Sequence, residues 1–320
     1  MSDIDSLVRQ YRAGALDRRG FFKRAGAFGL LVPAASSILA MAGPAQAQSP
    51  SRGGWLRIAQ GNTDNTLEPV RMIDTDDGIY SNCVYQRLTR FAPSLEVEGD
   101  AAEEWSVNAT ATEWSFKLRS GLTFHNGQSV TAADVLESLS RHIAEGSESP
   151  AKALLSTVTS IEAPDPLTVK ITLSSGNADL PVIMSDYHLA IHPAGHSDFS
   201  MAIGSGPFKV MEFIPGERVV LERFDDYYEE GKPYLDGLDF IPVPDANATL
   251  STLLSGDVDA IRDVPAFAVE QLSGNEAVTL YNTPTGAFTN MVMMVDRAPT
   301  NDPDFRRGIK HALDRELILN

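Results

Sequence analysis

The segment Glu113–Arg141 constrains the fold most, because it spells out a strand, a turn, a short strand, a second turn and a capped helix without a break. Trp114, Phe116 and Leu118 alternate with Ser115 and Lys117, the period-2 pattern of a strand with one buried face. Arg119-Ser120-Gly121 and His125-Asn126-Gly127 supply the residues that tight turns need, since glycine and asparagine tolerate backbone angles that other residues avoid. Thr131 then caps a helix, and Asp134 three residues later completes a capping-box-like pair. Val135, Leu136, Leu139 and Ile143 form the apolar stripe of that helix. A strand that buries one face and a helix that buries one stripe must pack on each other or on further layers, which requires a mixed α/β core.

The rest of the chain extends this alternation. Trp55–Ala59 reads as a first strand and Gly78–Leu88 as a helix. Two strand-like runs between Ile161 and Leu173 are broken by Pro164-Asp165-Pro166, and Leu180–Ile191 is apolar but irregular. Val219 and Leu221 alternate in Arg218–Arg223, and Leu238–Val243 is another strand. Asp245 caps a helix that Gly256 ends, Val258–Ile261 is a short strand, and Asp302-Pro303 opens a last helix with Phe305, Ile309, Leu313 and Leu317 at helical spacing. Cys83 is the single cysteine, so no intramolecular disulfide forms and stability rests on burial. With 43% hydrophobic residues the chain supplies more than one core.

The N-terminus has a different character. Arg18, Arg19, Phe21, Phe22 and Lys23 precede a mildly apolar run, Ala25–Ala42, and then Ala45-Gln46-Ala47. Positive charge, an apolar stretch and small residues before a cleavage point make a secretory signal, and the paired arginines resemble a twin-arginine export signal with cleavage after Ala47. The rival reading is a transmembrane anchor, which needs about 20 strongly apolar residues, and Gly26, Gly29, Pro33 and Ser36-Ser37 dilute this run. The whole chain carries 26 basic and 43 acidic residues, net −17. Residues 1–47 hold six basic and three acidic residues, so the remainder is 20 basic against 40 acidic, net −20. Such a surface repels nucleic acid and anionic lipid.

Several strings together resemble one family. Glu113–Arg141 contains "Leu-Arg-x-Gly", "Phe-His-Asn-Gly" and "Thr-Ala-x-Asp-Val"; Gly204-Ser205-Gly206-Pro207-Phe208 is a glycine–proline turn into a strand. Asp225–Pro233 is similar to the family's aromatic segment, with Tyr228 where tryptophan is usual, and Leu253–Asp259 and Arg306–Arg315 match two further helical motifs. On these residues the chain resembles the family 5 extracytoplasmic solute-binding proteins, which feed ABC importers of dipeptides, oligopeptides and nickel. The resemblance runs from about Gly53 to Asn320.

That resemblance implies an α/β fold of the periplasmic-binding-protein type II, cluster C, with mixed sheets in two ligand-gripping lobes and an inserted extra lobe. Residues 53–90 and 204–281 would form the first ligand-binding lobe, 91–203 the inserted auxiliary lobe, and 282–320 the start of the second. Relatives continue past the Arg306–Arg315 helix, so the chain reads as the front part of a longer protein. The implied function is capture of a peptide or similar extended solute by a periplasmic monomer, which hands it to a membrane permease and its ATPase. Leu67-Glu68-Pro69 stands in the family's "Leu-Asp-Pro" position, which makes Ile73, Asp74, Thr75, Asp76 and Asp77 the expected ligand-lining residues. Read without the family, the same aspartates are a helix N-terminus, where caps and the dipole favour carboxylates.

Two alternatives stand beside this reading. A nickel or metal-chelate binder belongs to the same family, but Pro193 and Gly195 break the helix that would align His188, His192 and His196. A secreted hydrolase would need a catalytic signature. Ile203 stands where a Gly-x-Ser-x-Gly elbow around Ser205 requires glycine, and no cofactor motif is present. No enzymatic role and no cofactor are expected.

Overall fold

Alternation at Trp55–Gln60 produces the strand around which the first sheet assembles (β1). The computed structural model describes residues 51–61, 66–275, 277–281 and 291–314. The export-signal residues Arg18, Arg19, Phe21, Phe22 and Lys23, and the cleavage point at Ala47, lie outside them. Contacts divide the chain into one unit up to Pro265 and a second from Ala266.

In the first unit, α1 (Thr75–Val84) follows β1, and β2 (Thr89–Phe91) pairs with β3 (Val97–Gly99) as a small antiparallel ribbon. β4 (Ala102–Val107), β5 (Glu113–Leu118), β6 (Val158–Asp165) and β7 (Thr168–Leu173) form an antiparallel sheet in the order β4-β5-β7-β6. α2 (Ala132–Ile143) packs over β6 and β7, and a single helical turn, α3 (Leu180–Ile183), follows. β8 (Phe208–Ile214), β9 (Arg218–Arg223) and β10 (Gly237–Pro242) lead to α4 (Ala246–Ser255) and β11 (Ala260–Ile261). These strands join β1 in a five-stranded mixed sheet ordered β11-β1-β10-β9-β8, with β1 parallel to both β10 and β11.

Two hydrophobic cores correspond to the two sheets. Trp114, Phe116 and Leu118 on β5 face Val135 and Leu139 on α2 in the first, while Tyr80 and Val84 on α1 meet Val219, Leu221 and Phe240 in the second. Asp134 closes the capping box as expected, accepting from the Thr131 N–H and hydroxyl at 2.7 Å each. Its other oxygen accepts from Ala194 N–H at 2.8 Å, so the cap also ties α2 to the turn after Ile191.

The second unit contains a short helix, α5 (Val269–Ser273), which buries Leu272, and α6 (Pro303–Ala312), whose cap Asp302 accepts from Asp304 N–H. Leu313 caps α6, so the helix stops short of the expected reach to Leu317; residues 315–320 lie outside the described set.

Four elements differ from the sequence reading for identifiable reasons. α1 begins three residues before Gly78, because Asp74 caps it, and ends at Val84, because Gln86 leaves to bridge Ile191. The short strand after Gly121 reduces to a single Thr123–Ser129 bridge. β6 runs through Pro164, which is tolerated because β6 is an edge strand and no ladder bond is lost on its open side. The strand near Val258 shrinks to Ala260–Ile261, since Val258 N–H turns back to Thr252 O.

Candidate functional site

Because β1, β10 and β11 run parallel, their carboxyl ends share one edge of the sheet, the side on which open α/β sheets bind ligands. Gln60 ends β1 almost fully buried, accepts from the Tyr80 hydroxyl and takes Val243 N–H on its backbone oxygen. Arg262 follows β11 and reaches Asp76 at 2.5 Å, holding Asp263 with its other nitrogens. The N-terminus of α1 is thereby fixed at this edge.

The expected ligand-lining residues are contiguous there, but they divide by role. Asp74 accepts from Asp76 N–H at 2.8 Å and Asp77 N–H at 3.0 Å, a standard N-cap. Asp76 is buried in its ion pair with Arg262. Asp77 is fully buried, and its two oxygens accept from Thr66 N–H and Ile73 N–H at 2.9 Å each. Burial pushes the Asp77 carboxyl upward, and those two N–H groups pull partly against it. The carboxylates thus organise the backbone. Ile73, at 72% exposure, and Thr75 present their side chains to solvent.

Neighbouring segments hold this edge in place. The ring of Tyr187 packs so closely on Gly78 that a Cβ there would lie 3.3 Å from it. Ser81 donates to Tyr187 O, and His188 bridges Asp186 and Met72 O. Glu68 accepts from Arg141 at 2.7 Å, fastening the Leu67-Glu68-Pro69 turn to α2. Sequence reasoning missed Arg262 and Tyr187, because nothing local marks an arginine or tyrosine as the partner of a segment more than a hundred residues away. A readable clue existed only for Arg262, which directly follows a strand that parallels β1.

The three histidines at spacing four do not converge. His188 is occupied as described, while His192 contacts Pro193 O and Arg141. Among the described residues no three histidine, cysteine or acidic side chains are grouped to hold a metal. His125 sits elsewhere: its Nδ1 accepts from Gly204 N–H at 3.3 Å and its Nε2 donates to Gly206 O at 3.0 Å.

Residues 96–320 match the family described as bacterial extracellular solute-binding proteins, family 5 middle. The glutathione-binding protein GsiB of Pectobacterium atrosepticum is 25% identical over 268 residues, 82% of this chain and 52% of the relative. The probable D,D-dipeptide-binding periplasmic protein DdpA of Escherichia coli is 28% identical over 281 residues, 83% of this chain and 54% of the relative. The solved structure of the PBP AgaA from A. tumefaciens, in complex with agropinic acid, superposes with a TM-score of 0.67 at 30% identity, covering 70% of this chain and 46% of that one. The chain spans about half the length of the curated relatives it matches.

Proposed function

Because the chain belongs to the bacterial extracellular solute-binding proteins of family 5, we propose that it is the substrate-binding component of an ABC importer. In this reading it captures a peptide-like solute in the periplasm and delivers it to a membrane permease and ATPase. The observation that carries the reading is the family match over residues 96–320. Proteins of this family are extracellular and bind solutes without transforming them, and the DdpA relative is named as a periplasmic protein. The solute class follows the relatives, one named for glutathione and another for D,D-dipeptides.

The proposed division assigns residues 53–90 and 204–281 to a first gripping lobe, 91–203 to an auxiliary lobe and 282–320 to the start of a second. Capture then proceeds by hinge closure, which buries the solute and signals the loaded state to the permease. Ile73–Asp77 are the proposed lining. The exposed Ile73 and Thr75 side chains supply contact, and the aspartates hold the backbone in a fixed shape. Support comes from their position at the carboxyl edge of the parallel strands.

Titration calorimetry against a panel of di- and tripeptides, with product analysis of the same mixtures, tests this function. Stoichiometric heat without product is expected; hydrolysis of any peptide, or no heat from any of them, overturns it. Export is proposed to use the twin-arginine route, through Arg18 and Arg19. Replacing both by lysine should leave the precursor in the cytoplasm, and undiminished periplasmic protein from that double variant would refute the route.

A further inference from the structure

Away from the carboxyl edge, at the other end of α1, lies a cavity of about 880 Å³. Tyr187, whose ring packs on Gly78, is the wall nearest the carboxyl edge, while Gln86 and Arg87 follow the far end of the ten-residue helix, which is roughly 15 Å long. The walls come from the chain just after α1, from Asp186 and Tyr187, and from the Tyr227–Leu235 loop. Most charges on these walls are already matched. Arg90 is held by Glu98 and Glu229 at 2.8 and 2.5 Å, Lys232 by Glu229 at 2.5 Å, and Asp186 pairs with His188 at 2.6 Å.

Arg87 is the exception. Its residue is only 5% exposed, yet its Nε and Nη1 meet no acceptor among the described residues. The nearest carboxylate, Asp100, stands 3.8 Å from Nη2, too far for a hydrogen bond. The Asp100 oxygens are spent elsewhere, one on Arg87 N–H and one on the Gln86 side-chain amide, both at 2.9 Å. Beside it, the Gln86 Oε1 is a second buried atom without a donor among the described residues. A buried guanidinium with Coulombic support but unfilled donors is costly unless an acceptor completes it.

We propose that this cavity is an accessory binding site for a small carboxylate, separate from Ile73–Asp77, with Arg87 as its anchor. Planar carboxylate matches a guanidinium fork: Nη2, which makes no hydrogen bond to Asp100, and one of the orphaned nitrogens, Nε or Nη1, present two parallel N–H groups that bind two oxygens at once. Gln86 Oε1 accepts from an N–H or O–H next to that carboxylate, so an α-amino or α-hydroxy acid satisfies both orphaned groups. Tyr187, Tyr227 and Phe91 supply apolar wall for the remainder of such a molecule. This inference does not depend on peptide capture at the carboxyl edge, and a small acid tests it without engaging that reading.

The test follows the arginine Nε–H resonances of the full chain by heteronuclear NMR during titration with benzoate, benzamide, phenyllactate and sodium chloride. The Arg87 resonance is assigned through bonds from its backbone amide, so no variant has to fold. A saturable shift of that resonance is expected with benzoate, at least tenfold weaker with benzamide, strongest with phenyllactate and absent with chloride. Arg87→Lys, which keeps the charge but loses the fork, should weaken phenyllactate about tenfold or more. An Arg87 resonance that does not move with either acid, or that moves equally with benzamide, overturns the proposal and leaves water as the group that completes this arginine.

Discussion

Asp77 shows how a residue that looks like a ligand contact can be a structural fastener. Its carboxylate sits with no exposure and accepts the N–H groups of Thr66 and Ile73, closing the loop that precedes α1 onto the helix. Removing the acceptor leaves two donors in a dry site, and hydrogen bonds to a charged group are each worth about 1.5–3 kcal/mol. Asp77→Ala should therefore lower the urea-unfolding free energy by about 2–4 kcal/mol, whereas Thr75→Ala, at an exposed position in the first turn, should change it by less than about 0.5 kcal/mol. Equal, small effects of the two would show that the buried carboxylate does not hold the loop. The three aspartates were readable from the sequence as a helix N-terminus. That Asp77 turns back to hold the preceding loop while Asp76 meets Arg262 was not readable there, since the second contact spans 186 residues and no local pattern records it.

At the scale of elements, two of the strings that carry the family resemblance prove to be halves of one joint. The His125-Asn126-Gly127 turn and the Gly204-Ser205-Gly206 turn lock together: His125 N–H donates to Gly204 O at 2.8 Å, and the imidazole accepts from Gly204 N–H and donates to Gly206 O. Both glycines also press on the end of α1, where Gly206 N–H bonds Val84 O. A Cβ on Gly204 would fall 2.0 Å from Val84 O, and one on Gly206 2.6 Å from Val84 C, distances that only backbone displacement can relieve. Gly204→Ala should cost about 3 kcal/mol or more, read as a lowered denaturant midpoint. A midpoint within error of the parent would mean that the joint yields freely. Strands β1, β5 and β9 and the caps Thr131, Asp245 and Asp302 were legible because each is encoded in its own few residues. The joint was visible only as two unrelated turns, since the requirement for glycine comes from a helix end some 120 residues earlier.

Across the first unit, several buried histidines make stability depend on pH in a defined direction. Burial lowers His125, His142 and His192 from the ordinary value near 6.5 to about 4. Geometry agrees with the neutral form: His125 needs a bare Nδ1 to accept from Gly204, and the Nε2 of His192 faces the Arg141 guanidinium at 3.3 Å. Between pH 6.5 and 4 the unfolded chain binds protons that the folded chain refuses, so stability is full above about 6.5 and falls as the pH drops through that window. Each fully buried histidine, His142 and His192, should contribute a loss of roughly 1–2 kcal/mol by pH 5. Glu229 acts in a separate and lower window. Burial alone would raise it, but Lys232 and Arg90 hold it at about 2, so its contribution persists until the pH falls below the ordinary glutamate range. Urea midpoints measured at pH 7, 6 and 5 should therefore decline steadily, and His192→Gln, neutral throughout, should show a shallower decline. A midpoint that holds level from pH 7 to 5 would mean these imidazoles take up protons in the folded state as readily as in the unfolded chain. The joint at Gly204 and the contact with Arg141 would then have to tolerate a cation that their geometry opposes.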